Sequence, residues 1–250
     1  MLNQLFSIVC LGLFAATAAA APAPACSPGE FVIALDVGHS LHSPGAVSAR
    51  GVPEFRFNQE LAAVVADALT AAGFRKGFVI NADGRIASLQ ERVAEANRRH
   101  AELFLAIHHD SVQPRYLSEW TRDGVTHRYS DRFHGFSLFV SGKNPQFADS
   151  RRFANLAAMA LTARGFTPTL HHAEPIPGEG RPLLDAALGI YRFDDLIVLK
   201  AASMPAVLLE AGVILNRDEE RQLTDTAYRQ RIAGAIVAAA QQYCSGVQRP

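Results

Sequence analysis

Four side chains stand where this sequence could do chemistry. His39 follows a short apolar run in LDVGH, and Glu54 stands in PEFRFN just ahead of a helical pattern. His108 ends the apolar run of LFLAIHHDS, and Glu210 ends that of PAVLLE. Two imidazoles and one carboxylate make a zinc site with an open fourth position. A metal there lowers the pKa of its water to ~7. A second carboxylate that does not ligate the metal is then needed to take the water's proton. The inventory suits metal-assisted hydrolysis. Each member alone has a plainer reading. A histidine at a strand end is more often a hydrogen-bonded structural residue than a ligand. Glu54 could be an acid favoured at a helix N-terminus, and Glu210 a buried structural acid. His108 and His109 are neighbours, and neighbours on a strand face opposite ways, so both cannot point at one site. The pattern does not choose between them.

The elements around these residues decide whether they can meet. Short apolar runs at 31–35, 78–80, 103–107, 136–140 and 206–210 read as buried strands. Helical spacing recurs over 57–72, where Gly73 caps the end, and over 88–99, where Leu89, Val93 and Ala96 share a face. Residues 150–164 and 228–243 also read as helices. The alternation predicts an α/β fold, a mostly parallel twisted sheet flanked by helices on both faces, in a single domain. Parallel strands place their C-terminal ends on one edge. His39, His108 and Glu210 then converge there, and Glu54 can reach them from its helix start. Residues 113–134 show no period and read as a surface insertion. Residues 167–195 are irregular; His171, His172 and Glu174 within them form a rival metal cluster, read here as a solvated loop rim.

Composition bounds the rest. The chain has 250 residues, 49% hydrophobic and 19% charged, an ordinary globular balance. Lys and Arg number 24 and so do Asp and Glu, which argues against a nucleic-acid binder. The start, MLNQLFSIVCLGLFAATAAAAPAPAC, resembles a secretory signal peptide over 1–21, with an Ala-x-Ala site near Ala20 or Ala21. A short segment, 22–29, then leads into one domain over 30–246. The apolar run is marginally short and alanine-rich for a span, so no membrane anchor is expected after cleavage. Export places the chain in the periplasm or outside the cell. Cys10 would be lost, leaving Cys26 and Cys244 as a disulfide candidate or as two free thiols.

From about Phe31 to Tyr243 the sequence resembles the zinc-dependent N-acetylmuramoyl-L-alanine amidases of the type-3 cell-wall hydrolase family. Five blocks carry the resemblance in order: ALDVGHSLHSPGAV, EFRFNQELAAVVADAL, SLQERVAEAN, AELFLAIHHD and PAVLLEAGVILNRDEE. The resemblance implies zinc on His39, Glu54 and His108, with Glu210 as the catalytic carboxylate. It selects His108, the histidine directly after the final Ile of its strand, and leaves His109 and Asp110 beside the site or at its rim. Asp36 either orients His39 or is a solvent-facing strand end. It further implies hydrolysis of the amide between N-acetylmuramic acid and the L-alanine of the stem peptide in peptidoglycan. A zinc peptidase acting on stem-peptide bonds and a non-catalytic cell-wall binding module are the alternatives. Val37, Ser40, Leu41 and the stretch NADGR depart from the family pattern and bear on the shape of the substrate groove. Some relatives carry a helical plug after the fourth strand. Only SGKNPQFAD stands there in this chain, so no activating protein is expected to be required.

Overall fold

The apolar positions of the central strands are buried on both sides, and this dictates a covered sheet. The structure is a computed structural model and describes residues 26–246. The signal peptide expected over 1–21, with Cys10, lies outside the described residues. In chain order the elements are β1 (Ile33–Val37), α1 (Glu54–Ala71), β2 (Phe78–Ile80), α2 (Leu89–Arg98), β3 (Leu103–Asp110), β4 (Ser118–Arg122), β5 (Val125–Tyr129) and β6 (Ser137–Val140). They continue with α3 (Phe147–Thr162), β7 (Leu183–Asp185), β8 (Ile190–Arg192), α4 (Ile197–Lys200), β9 (Ala206–Val213), α5 (Arg217–Thr224) and α6 (Thr226–Ser245). Seven strands form one sheet in the order β2-β1-β3-β9-β6-β8-β7. On one face, Ile33, Leu35, Leu105, Ile107, Val207 and Leu209 pack in the core that also holds residues of α1, α3 and α6. On the other, Ala34, Phe104, Ala106 and Leu208 pack with residues of α2 and α4.

β2, β1, β3 and β9 are mutually parallel, whereas β6 pairs antiparallel with β9 through Leu138 and Leu209. The reversal has a simple cause. A parallel return needs a crossover, usually a helix, and the stretch before β6 holds a β4–β5 hairpin instead. That hairpin replaces the structureless insertion expected at 113–134. Its turn is Asp123-Gly124, both at positive φ (53° and 80°), the conformation that favours a two-residue hairpin. Trp120 pins it to the body by donating from Nε1 to the Ala49 carbonyl at 2.8 Å. β7 and β8 occupy the stretch expected to be irregular, as three-residue strands too short to show a period.

Local capping chemistry sets several boundaries. Ser88 accepts from the Glu91 amide at 3.2 Å and starts α2. Asn216 accepts from the amides of Asp218 and Glu219 and starts α5, a charged helix without an apolar stripe to announce it. α1 begins at Glu54, directly after Pro53, earlier than its apolar spacing indicates. Among the described residues no helix is long and apolar enough to cross a membrane.

Cys26 and Cys244 form a disulfide across a separation of 218 residues, tying the segment before β1 to the last turn of α6. Closing so long a loop removes much entropy from the unfolded chain. Cys26→Ser should therefore lower the unfolding free energy by ~2–5 kcal/mol. Urea unfolding with and without reductant checks this; coincident curves would show that the bridge contributes nothing.

Candidate metal centre and active site

β1, β3 and β9 lie side by side, and the register sets Val37 opposite Ile107 and His108 opposite Glu210. The pleat separates the two histidines. His108 continues the side of Phe104 and Ala106, while His109 turns to the opposite layer. There the His109 Nδ1 lies 2.8 Å from Asn58 Oδ1, and its ring stands 5.6 Å from that of Phe57, both on α1. Burial lowers the His109 imidazole to about 3. His39 sits beyond β1 at φ +67°. This left-handed conformation costs a non-glycine residue ~1–2 kcal/mol. Two side chains hold it. Asn81 donates to the carbonyls of Val37 and His39 at 2.8 Å each. Arg92 donates to the Val37 carbonyl at 2.9 Å and also to that of His39.

Glu54 gathers the set. Its Oε2 lies 2.9 Å from His39 Nε2 and accepts from the Ala46 amide at 3.2 Å. Its Oε1 lies 3.1 Å from His108 Nδ1 and accepts from Asn58 Nδ2 at 3.1 Å and the His109 amide at 3.3 Å. Burial works against the Glu54 charge, yet His108 and His39 hold its carboxyl well below the usual range. Burial lowers the His108 imidazole, favouring the neutral form that ligates metals. The three ligand atoms lie within 4.8 Å of one another. Gly38 and Gly45 make the close approach possible, since a Cβ on either would collide with the His108 ring or with Glu54 and His39. The His39 side chain is 31% exposed and the Glu54 side chain 5%, so the carboxylate is sheltered while the triad is open to solvent on one side. Two imidazoles and an ionised carboxylate, converging and partly open, fit a zinc ion.

Glu210 stands across the ladder from His108, and its Oε2 is buried without a hydrogen-bond partner. Burial, then the negative charges of Asp110 and Glu54, push its carboxyl well above the ordinary value. Asp36 is buried rather than solvent-facing, and burial pushes it up to about 7 despite the Arg92 guanidinium 3.6 Å away. Neither of its oxygens makes a hydrogen bond, so it does not orient the His39 ring by one. A groove of 490 Å³ runs beside Glu54's partner Ala46, lined also by Val47, Ser111, Val112, Thr126 and His127. The β4–β5 hairpin forms its outer wall.

The segment 167–195 is a different object from the solvated rim expected there. His171 is buried, and Glu174 turns away to accept from the Tyr116 hydroxyl at 2.8 Å. Asp110 takes the place of Glu174, with its Oδ2 2.8 Å from His172 Nε2. Burial disfavours both charges, but the pairing holds Asp110 at about 2, and Asp110 with Glu179 raises His172 to about 10. Sequence reasoning assigned no role to Arg92, Asn58, Asn81 or Glu179. Arg92 carried a signal: three residues after Leu89 and next to Val93, it lies on the buried stripe of its helix. Gly38→Ala tests the close packing of the site. The methyl group must displace the His108 ring, so zinc affinity should fall ~10–100-fold. Calorimetric titration measures it, with circular dichroism expected to stay unchanged.

Residues 33–242 match the family model described as N-acetylmuramoyl-L-alanine amidase. The chain is similar to the N-acetylmuramoyl-L-alanine amidase AmiC of Escherichia coli O6:H1, 26% identical over 89% of this chain and 55% of that protein. It is also similar to AmiA of Escherichia coli K12, 28% identical over 84% of this chain and 75% of that protein. The chain thus spans about half the length of AmiC. The catalytic domain of the amidase CwlV from Bacillus (Paenibacillus) polymyxa superposes with a TM-score of 0.63 at 25% identity, over 85% of this chain and 97% of that one. A family match across most of the domain, on a fold that brings His39, Glu54 and His108 together, places this chain in the N-acetylmuramoyl-L-alanine amidase family.

Proposed function

We propose that this chain is a zinc-dependent hydrolase of peptidoglycan. It cleaves the amide between the lactyl group of N-acetylmuramic acid and the L-alanine of the stem peptide. One observation carries the reading: the His39–Glu54–His108 triad has beside it Glu210, half-buried with its Oε2 buried and unpartnered, on the strand position opposite His108. His39, Glu54 and His108 hold the metal. Zinc, when bound, supplies Lewis acidity toward the lactyl carbonyl and lowers the pKa of the attacking water. Glu210 takes the proton of that water and returns it to the departing alanine nitrogen. A carboxyl raised by burial retains the proton long enough for the second transfer. Asn58, Ala46 and the His109 amide keep Glu54 ionised and fixed. The groove beside Ala46 receives the muramyl peptide.

The leader-like residues 1–21 and the disulfide both support work outside the reducing cytoplasm, in the periplasm or beyond the cell. Residues 22–29 then lead into the catalytic domain at 30–246. The connection between β6 and α3 is short, and the triad is open to solvent. The purified chain therefore acts without an activating protein.

Three measurements test this reading. His108→Ala should remove one equivalent of zinc by elemental analysis, while His109→Ala should leave it bound; the opposite pattern would exchange their roles. Mass spectrometry of fragments from purified peptidoglycan should reveal stem peptides with free L-alanine amino termini. Cleavage within the stem would mean a peptidase, and zinc-loaded protein that releases nothing would mean a binding module or a need for a partner. Glu210→Gln should cut release by ~10²–10⁴-fold, the ordinary worth of a general base, with zinc content and melting temperature unchanged. A folded, zinc-loaded variant of near wild-type rate removes Glu210 from the mechanism.

A further inference from the structure

Two residues beyond His108 on the same face of β3, Asp110 meets a second pair of histidines. His172 Nε2 lies 2.8 Å from Asp110 Oδ2, and His171 Nε2 lies 3.4 Å from the same oxygen. Both rings are held from behind. His172 Nδ1 is 3.0 Å from Glu179 Oε2, and Glu179 is itself fixed by Gln113 Nε2, which donates to Oε1 at 2.7 Å. His171 Nδ1 is 2.8 Å from the Thr169 hydroxyl, whose residue accepts the Tyr191 hydroxyl on its carbonyl. The rings are surrounded by Phe133, Phe139 and Tyr191.

The hydrogen bonding leaves a definite deficit. Glu179 can only accept, so His172 Nδ1 carries a proton. His172 Nε2 then faces a second carboxylate across 2.8 Å, which demands a positive species between them. A proton on Nε2 satisfies that pair alone. It leaves His171 Nε2, on a side chain only 1% exposed, without a hydrogen bond although it points at the same oxygen. A metal ion satisfies all three atoms together. The three lie within 4.8 Å of one another, and ligands of tetrahedral zinc stand ~3.3 Å apart at Zn–N distances of ~2.0–2.1 Å. Backing each ligand nitrogen by an oxygen partner on the other ring nitrogen is the usual support for metal-bound imidazole.

We infer that Asp110, His171 and His172 form a second site for a borderline divalent transition metal such as zinc, separate from the His39–Glu54–His108 centre. The donor set is the same, and two imidazoles with one carboxylate favour zinc, cobalt or nickel over calcium or magnesium. Neither site shares a ligand with the other, so each can be emptied alone. Asp110 lies only ~7 Å along the strand from His108, so an ion there adds positive charge next to Glu210. This inference does not depend on the substrate proposed above.

Zinc stoichiometry tests it in the purified, disulfide-intact chain. The protein is stripped with chelator, re-titrated by calorimetry and checked by elemental analysis. Wild type should take two equivalents, and His171→Ala, His172→Ala and Glu54→Gln one each. The double variant Glu54→Gln with His172→Ala should take none. Thr169→Val removes only the hydroxyl behind His171 and should weaken one binding step ~10–100-fold; it serves if the histidine variants do not fold. A wild type that binds one equivalent, lost in Glu54→Gln, overturns the second site while leaving the first intact. Two equivalents retained in a folded His172→Ala overturn it equally.

Discussion

A single buried carboxylate organises this protein's chemistry. Glu54 brings one imidazole to each of its oxygens, His39 from the loop after β1 and His108 from the end of β3. It is nearly inaccessible to water, and an ionised group in that position survives only if its lone pairs are satisfied. The fold supplies three further donors: the Ala46 and His109 amides and the Asn58 side chain. Leaving such a buried acceptor unmatched costs ~1–3 kcal/mol per group, more when charged. Much of the surrounding architecture can be read as the means of keeping Glu54 charged and still.

The backbone around His39 carries the complementary cost. Its left-handed conformation is sustained by Arg92, from α2, and Asn81, just after β2, which reach the carbonyls on either side of Gly38. Arg92 is a buried cation whose counter-ion, Asp36, stands 3.6 Å away at the end of β1. α2 thus does more than cover the sheet. Its single inward guanidinium fastens the His39 loop to the strand edge, with Asp36 beside it.

β3 links the two histidine clusters. Its alternation sends His108 and Asp110 to one side and His109 to the other. The ladder with β9 shifts register between His108 and Asp110, opposite Gly212. Bulges of this kind concentrate beside active sites, where they re-aim side chains. Here the shift falls between the Glu210–His108 pair and the Asp110 cluster.

The sequence by itself determined the central strands, the long helices and the four polar residues at their ends. Each depended on local pattern: apolar runs bounded by turns, helical spacing, and polar groups placed where those patterns stop. Resemblance to a family then chose His108 over His109, which the pleat alone could not do. Asp123-Gly124 is a turn signal for the β4–β5 hairpin, but its flanks, SEWTR and VTHRY, lack the hydrophobic alternation that marks strands. What only the tertiary structure decided were pairings distant in the chain. Nothing local says that Asp110 will meet His171 and His172 in place of Glu174, that Arg92 will bind carbonyls of the His39 loop, that β6 will run antiparallel to β9, or that Cys26 will find Cys244. Those outcomes turn on which surfaces lie against each other once the sheet is assembled, and a buried polar group takes whichever partner that packing brings within reach.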